Sequence, residues 1–415
     1  MNFALSEEQK LLVATVRRFV ESELIPLEAQ VEEKGFLDTE TAQAIFEKSK
    51  ALGFYAMNIP EAHGGGGLST LDICMVEEQF GHTTDILIRR AFGNVYDVLL
   101  EGDAEQRERW LLPAVRGERT CSISISEPGA GSDAAGIKTR AGKGGAGWTL
   151  SGQKHFISDG LFSDFFVVSA ITDPEAGAKG ISLFLVDKDL PGVTVGRDQP
   201  MMGLTGTSHI ELIFDEVRLG PEHLLGPEGQ GLRLIFETLG TIRLAHIGAR
   251  AVGKAARLLG MMTKHCQERR QFGHPIGDFQ MVQKMLADSA IEIEAARLMV
   301  LRTAFEIDRG GKSRERISMV KVHAAETLGR VADRAVQVFG GMGYCKDLAI
   351  ERLYRDARIF RIYDGTSEIH RTVVARGLLK HGAALFDPLN LVTRERGRKT
   401  SCPSTSSSRR KRPSP

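Results

Sequence analysis

The chain has 415 residues, a formal net charge of +1 at pH 7, 42% hydrophobic residues and 26% charged residues. That composition suits a soluble globular protein with a substantial buried core, divided into two or three domains. It excludes a disulfide framework, a zinc-ligand set and a membrane span: Cys74, Cys121, Cys266, Cys345 and Cys402 lack paired spacing, and no apolar run is long enough to cross a bilayer.

In chain order, Phe3-Ala4-Leu5-Ser6-Glu7-Glu8-Gln9 reads as a helix cap rather than a leader peptide, so a cytoplasmic location with reduced thiols is expected. Residues 1–117 are expected to form a helical domain. Leu11-Leu12, Val16 and Phe19-Val20 share one face, and Ala42, Ile45, Phe46 and Ser49 share another. The four glycines after Pro60-Glu61-Ala62-His63 mark a loop.

Residues 118–228 change to short apolar or alternating runs, expected to form a β-barrel-like domain. The predicted strands are Ser122–Ile125, Trp148–Leu150, Phe165–Val168, Ile181–Val186 and Ile210–Phe214. Gly142-Lys143-Gly144-Gly145-Ala146-Gly147 fits a dinucleotide-binding glycine pattern formally, but it lies between two strands and reads as a hairpin turn. Residues 229–385 return to long helical patterns, with Leu244, Ile247, Ala251 and Leu258-Leu259 on one face, then Met281–Asp308, Ile317–Phe339 and Ser367–Leu379. The class is α+β, with strands between two helical blocks.

The tail, residues 386–415, carries eight basic residues against Glu395 between Arg394 and Arg412, and few apolar ones. It is expected to be disordered, either as a solvated terminus or as an arm for nucleic acid or an anionic surface.

Three segments share one chemistry. Ser126-Glu127-Pro128-Gly129-Ala130-Gly131-Ser132-Asp133 combines glycines, small hydroxyls and carboxylates in a loop suited to close approach by a flat polar ligand. Phe339-Gly340-Gly341-Met342-Gly343-Tyr344 and Ile362-Tyr363-Asp364-Gly365-Thr366-Ser367-Glu368 repeat it downstream. Together they resemble the signature segments of the acyl-CoA dehydrogenase family, in the family's order, over residues 3–385.

The resemblance implies an N-terminal helical domain, a middle β-domain and a C-terminal four-helix bundle. FAD would lie at their junction, in a homo-oligomer that is a dimer or a tetramer. It implies that Ile123, Ile125, Ser126 and Ser132 line the flavin, with Ser132 also near the substrate's pantetheine arm. Phe156, where the family often has tryptophan, would stack on the flavin, and Ser158 would bond near its N5; read alone, Phe156 is a β-core aromatic. Arg269, Phe272 and Gln280 would reach a neighbouring subunit's FAD, with Gln337, Gly340 and Gly341 at the adenine end. An arginine suits that role because its planar fork grips a pyrophosphate at two points. Thr366 and Glu368 complete the cofactor set, and Arg243 and Gly365 join Ser132 as substrate contacts.

Asp364 takes the place of the glutamate that most of the family uses to remove a proton beside a thioester. It is one methylene shorter, and a displacement of ~1 Å changes a rate by about a hundredfold. Ile242 offers no relocated carboxylate, and Gly240 stands where an aspartate commonly accompanies the arginine of the CoA-binding helix. Arg89-Arg90 reads as exposed surface, or as part of an acyl pocket for a polar or acidic substrate. The implied activity is FAD-dependent oxidation of an acyl-CoA to a 2,3-enoyl-CoA, with electrons passed to an electron-transfer flavoprotein. Two other readings remain open: a nitroalkane oxidase-like flavin oxidase acting on a non-CoA substrate, and a DNA-binding branch of the family.

Overall fold

The structure, a computed structural model, describes residues 4–93, 95–311 and 314–382; the basic tail lies outside them. The first helix, Glu7–Phe19, begins where Ser6 and Gln9 cap each other reciprocally, satisfying two otherwise orphaned amides. Its face is Val16 and Phe19, continued by Val20, whereas Leu11 points to solvent, 70% exposed. Helices Thr39–Ala51 and Thr70–Phe80 start on Asp38 and Ser69 caps. Ile45 and Ser49 are buried as the spacing predicts. The Thr70–Phe80 helix is apolar on most sides because it runs through the core, packed on the first helix and on the C-terminal helices.

The middle region forms β1 (Cys121–Ser124), β2 (Arg140–Gly144), β3 (Gly147–Ser158), β4 (Phe165–Ile171), β5 (Ile181–Asp187), β6 (Val193–Asp198), β7 (His209–Leu219) and β8 (Leu224–Leu225). The paired path is β6-β7-β3-β2-β4-β5-β8, with β1 parallel to β4; among the described residues no pairing joins β6 to β8. The glycine-rich 142–147 segment is the turn of the β2–β3 hairpin, with Gly144 opposite Gly147. β4 and β5 read as unbroken apolar runs because both faces are covered. Phe165 and Val167 pack with Trp110 and Ile235, while Phe166 and Val168 pack with Leu150 and Leu212. The polar strands β2 and β6 escape the sequence reading, since neither alternates cleanly.

The C-terminal block has long helices at Gly231–Ile242, Arg250–Glu268, Gln280–Asp308, Arg314–Phe339 and Ser367–His381, and a shorter one at Ala349–Ile359. The first two are one continuous rod joined by a widened π-helical turn, Arg243–Ala249. Buried Glu28 locks the N-terminal helices to this block by accepting hydrogen bonds from Arg257 at 2.6 Å and Arg352 at 2.6 Å. Asp356 accepts from the Leu204 amide at 2.7 Å and ties the β-region to it. All three regions are therefore tied together through Glu28 and Asp356.

Candidate active site

The turn that carries Asp364 is held from three sides. Arg243 Nε donates to the Asp364 carbonyl at 2.8 Å, Lys321 Nζ to the Gly365 carbonyl at 2.6 Å, and His370 Nε2 lies 3.1 Å from the Asp364 carbonyl. A carbonyl only accepts, so Nε2 carries the proton. Burial lowers the His370 pKa to about 4, so Nδ1 is a bare acceptor facing the Ser318 hydroxyl at 3.0 Å. Asp364 itself sits at φ +52°, a left-handed conformation that aspartate adopts more readily than most residues. Gly365 follows at φ +94°, where a Cβ would press on the His370 ring.

These anchors take the backbone oxygens and leave the carboxyl free: among the described residues neither Asp364 carboxylate oxygen accepts a hydrogen bond. Burial pushes its pKa up, opposed by the charges of Arg243, Lys321 and Arg89. A carboxyl displaced toward neutrality and left unbonded is what a general base requires.

The β-region supplies a second wall. Lys154 is fully buried beneath the glycine-rich loop, donating to Glu127 at 2.8 Å, the Ile125 carbonyl at 3.1 Å and Ser169 at 3.2 Å. Glu127 also accepts from the Lys138 and Thr139 amides. The His155 amide bonds the Ser126 carbonyl at 2.8 Å, stitching this loop to β3. Ile123, Ile125 and Ser126 are half-buried and Ser132 is exposed along it.

Phe156 is not a core aromatic. At φ +59° its ring stands outward, 54% exposed and stacked on His155 at 3.9 Å, beside the half-buried Ser158. Arg89 and Arg90 are not exposed surface either. Both grip Asp159, next to Ser158, at 2.9 Å and 3.0 Å, joining the Asp85–Phe92 helix to the end of β3.

The remaining sequence candidates form a separate group. Arg269, Phe272, Gln280, Gln337, Gly340 and Gly341 are exposed, and the stack of His265 on Phe339 at 4.2 Å holds the 269–280 segment beside the 337–341 turn. Phe272 stands at φ +53° with 91% of its surface exposed. Thr366 caps the last helix through its hydroxyl, and Glu368 is exposed one residue beyond Ser367.

Lys321, His370, Lys154 and Glu127 were missed by the sequence reading. Lys321 had a signal: it falls on the apolar stripe of Ile317, Val320, Ala324 and Leu328, where a lysine needs a buried partner.

Helical, sheet and helical regions, an outward aromatic ring at Phe156 and an unbonded carboxyl at Asp364 are parts suited to an oxidoreductase that works on carbon–hydrogen bonds. The chain belongs to the acyl-CoA dehydrogenase family: it matches the family models for the N-terminal domain over residues 6–118, the middle domain over 122–217 and the C-terminal domain over 229–379. It is 39% identical over 381 residues to the cyclohex-1-ene-1-carbonyl-CoA dehydrogenase of Geobacter metallireducens, covering 90% of this chain and 99% of that one. It is 35% identical over 386 residues to the CarC subunit of the caffeyl-CoA reductase-Etf complex of Acetobacterium woodii, covering 90% and 99%. The solved structure of PigA with FAD and proline superposes at a TM-score of 0.85, with 27% identity over 91% of this chain and 99% of that one. Members of the family are FAD flavoproteins that act on CH–CH bonds. Among the described residues no helix is long and apolar enough to cross a membrane.

Proposed function

We propose that this chain is an FAD-dependent dehydrogenase of a short or cyclic acyl-CoA, with Asp364 as the base. The observation that carries the reading is the Asp364 carboxyl, raised by burial and unbonded on a turn whose backbone is clamped by Arg243, Lys321 and His370.

FAD fits the residues present. Phe156 offers an open aromatic face, and the loop around Ser126 has no Cβ at Gly129 or Gly131 to obstruct a ring edge. Ile123, Ile125, Ser126, Ser132, Phe156 and Ser158 would hold the flavin, with Thr366 and Glu368 near it. Bound there, FAD supplies the acceptor for hydride from the substrate's β-carbon.

Asp364 takes the proton from the carbon beside the thioester. Among the described residues its own amide finds no acceptor, so it can donate to the thioester oxygen as negative charge develops there. Gly365 leaves room beside that oxygen, Ser132 faces the substrate arm, and Arg243 keeps the turn from rotating the carboxyl away.

The exposed group at Arg269, Phe272, Gln280, Gln337, Gly340 and Gly341 supports a homo-oligomer in which this segment completes the cofactor site of a second copy. Phe272→Asp would then lower both the assembly state and FAD retention. An electron-transfer flavoprotein as the electron acceptor, in the cytoplasm, belongs to the same reading; the Etf-linked Acetobacterium relative favours it.

The test is anaerobic titration of the flavin-loaded protein with butyryl-, octanoyl- and cyclohexanecarbonyl-CoA, following oxidised-flavin absorbance. Parent protein should bleach with the smaller thioesters, and Asp364→Asn should retain FAD while bleaching 10²- to 10⁴-fold more slowly, the usual range for loss of a general base. Parent-like bleaching by the variant would remove Asp364 from the role.

A further inference from the structure

Beside the Asp364 turn lies a cavity of about 60 Å³, between the Thr70–Phe80 and Asp85–Phe92 helices and the Gly231–Ala249 rod. Thr241 and Ile242, which line it, immediately precede Arg243, and Tyr96 lies within electrostatic reach of Asp364. At roughly 10–15 Å³ for each water-sized group, the space takes about four to six heavy atoms. One wall is hydrocarbon, from Phe54, Ile73, Phe80 and Phe92.

The opposite wall is polar and unfinished. Among the described residues, the hydroxyls of Tyr96, Thr238 and Thr241 find no hydrogen-bond partner, although all three residues line the cavity. His246 joins them. Its Nε2 lies 3.2 Å from Glu77, which is also paired with Arg250, and burial holds the ring neutral with a pKa of about 4. A neutral imidazole keeps one bare ring nitrogen, which can accept a hydrogen bond.

Resting on the acyl-CoA reading, we propose that this cavity selects a small acyl group bearing a hydrogen-bonding substituent, a hydroxyl or oxo group, over a bare hydrocarbon of equal size. A hydrocarbon would strip water from three hydroxyls and an imidazole nitrogen without replacing their hydrogen bonds. A site built to bond a substrate hydroxyl rejects the analogue that lacks it far more strongly than an apolar site distinguishes one methylene. An anionic substituent is disfavoured, since Arg250, the cation among the lining residues, is already paired with Glu77, and Asp97 adds a further carboxyl.

The probes are cyclohexanecarbonyl-CoA and its 3- and 4-hydroxy derivatives, compared by kcat/KM and by anaerobic flavin bleaching in the parent, His246→Val and Thr241→Val. The parent should favour at least one hydroxylated thioester by tenfold or more. Each variant should bring that ratio toward one while the acid limb set by Asp364 stays in place. Bleaching by all three thioesters with equal efficiency, or a hydroxyl preference that both variants retain, overturns the proposal and leaves the dehydrogenase reading standing. No bleaching by any thioester, with FAD bound, overturns both. A variant that fails to bind FAD is replaced by the other, since the two substitutions lie on different turns of the rod.

Discussion

Replacing Lys321 by methionine separates what the catalytic turn needs from what the fold tolerates. The lysine is fully buried and donates from Nζ to the Gly365 carbonyl at 2.6 Å. Burial pulls its pKa from 10.5 to about 8. A folded value below the unfolded one means that folding disfavours the ammonium. The penalty is complete below pH 8 and fades as pH rises toward 10.5. A gap of about 2.5 pH units corresponds to ~3 kcal/mol. Lys321→Met removes that penalty together with a charge-assisted hydrogen bond contributing ~1.5–3 kcal/mol. The two nearly cancel, so stability by urea unfolding at pH 7 should stay within ~2 kcal/mol of the parent. The parent's gain in stability between pH 8 and 10 should disappear. Activity responds differently, because the lost cation no longer lowers the Asp364 carboxyl. The acid limb of kcat/KM should move up by about one pH unit, ~1.4 kcal/mol. An acid limb at the same pH in both proteins, or the same stability slope above pH 8, would refute the reasoning.

Three further outcomes are expected. Asp159→Asn leaves Arg89 and Arg90, both largely buried, without their main counter-charge; it should destabilise the protein by ~3 kcal/mol in thermal or urea unfolding, and a change under 1 kcal/mol would show the pair to be incidental. Glu127→Gln strands the buried Lys154 ammonium under the flavin-facing loop, so ~3 kcal/mol of stability and much of the FAD should be lost together in a single preparation. Burial lowers the pKa of His82, His209, His246 and His370 to about 4, so the unfolded chain binds more protons below pH 6.5; stability should be intact above pH 6.5 and fall steeply toward pH 4, and a flat profile across that window would contradict their burial.

Much of this arrangement was legible in the sequence, for identifiable reasons. The long helices and the apolar strands announce themselves by periodicity, as at Leu244, Ile247, Ala251 and Leu258. β2 and β6 do not, since an edge or hairpin strand such as Arg140–Gly144 has little apolar surface to bury. Asp364 and the glycine-rich loop stood out through the family's motifs, whereas two of the three clamps on the turn join residues far apart in the chain, Lys321 to Gly365 and Arg243 to Asp364. Local spacing carries no trace of such a pairing. Arg89 and Arg90 misled because two adjacent arginines on a short helix look like surface; their partner, Asp159, comes from another region of the chain. Phe156 carried two readings, on the flavin through the family's motif and in the core by strand position alone; its left-handed backbone and exposed ring set the second aside.

The wide turn at Arg243–Ala249 makes chain length, rather than side-chain identity, the sensitive variable in this part of the molecule. Deleting a single residue there would restore the narrower winding and, because the wide turn absorbs the extra residue, leave the flanking helices close to their present register. The residues of the turn itself would move: Arg243 would part from the Asp364 carbonyl and His246 from the cavity wall. Among related chains, a one-residue gap at this point therefore changes the reaction centre, even where every neighbouring residue is identical.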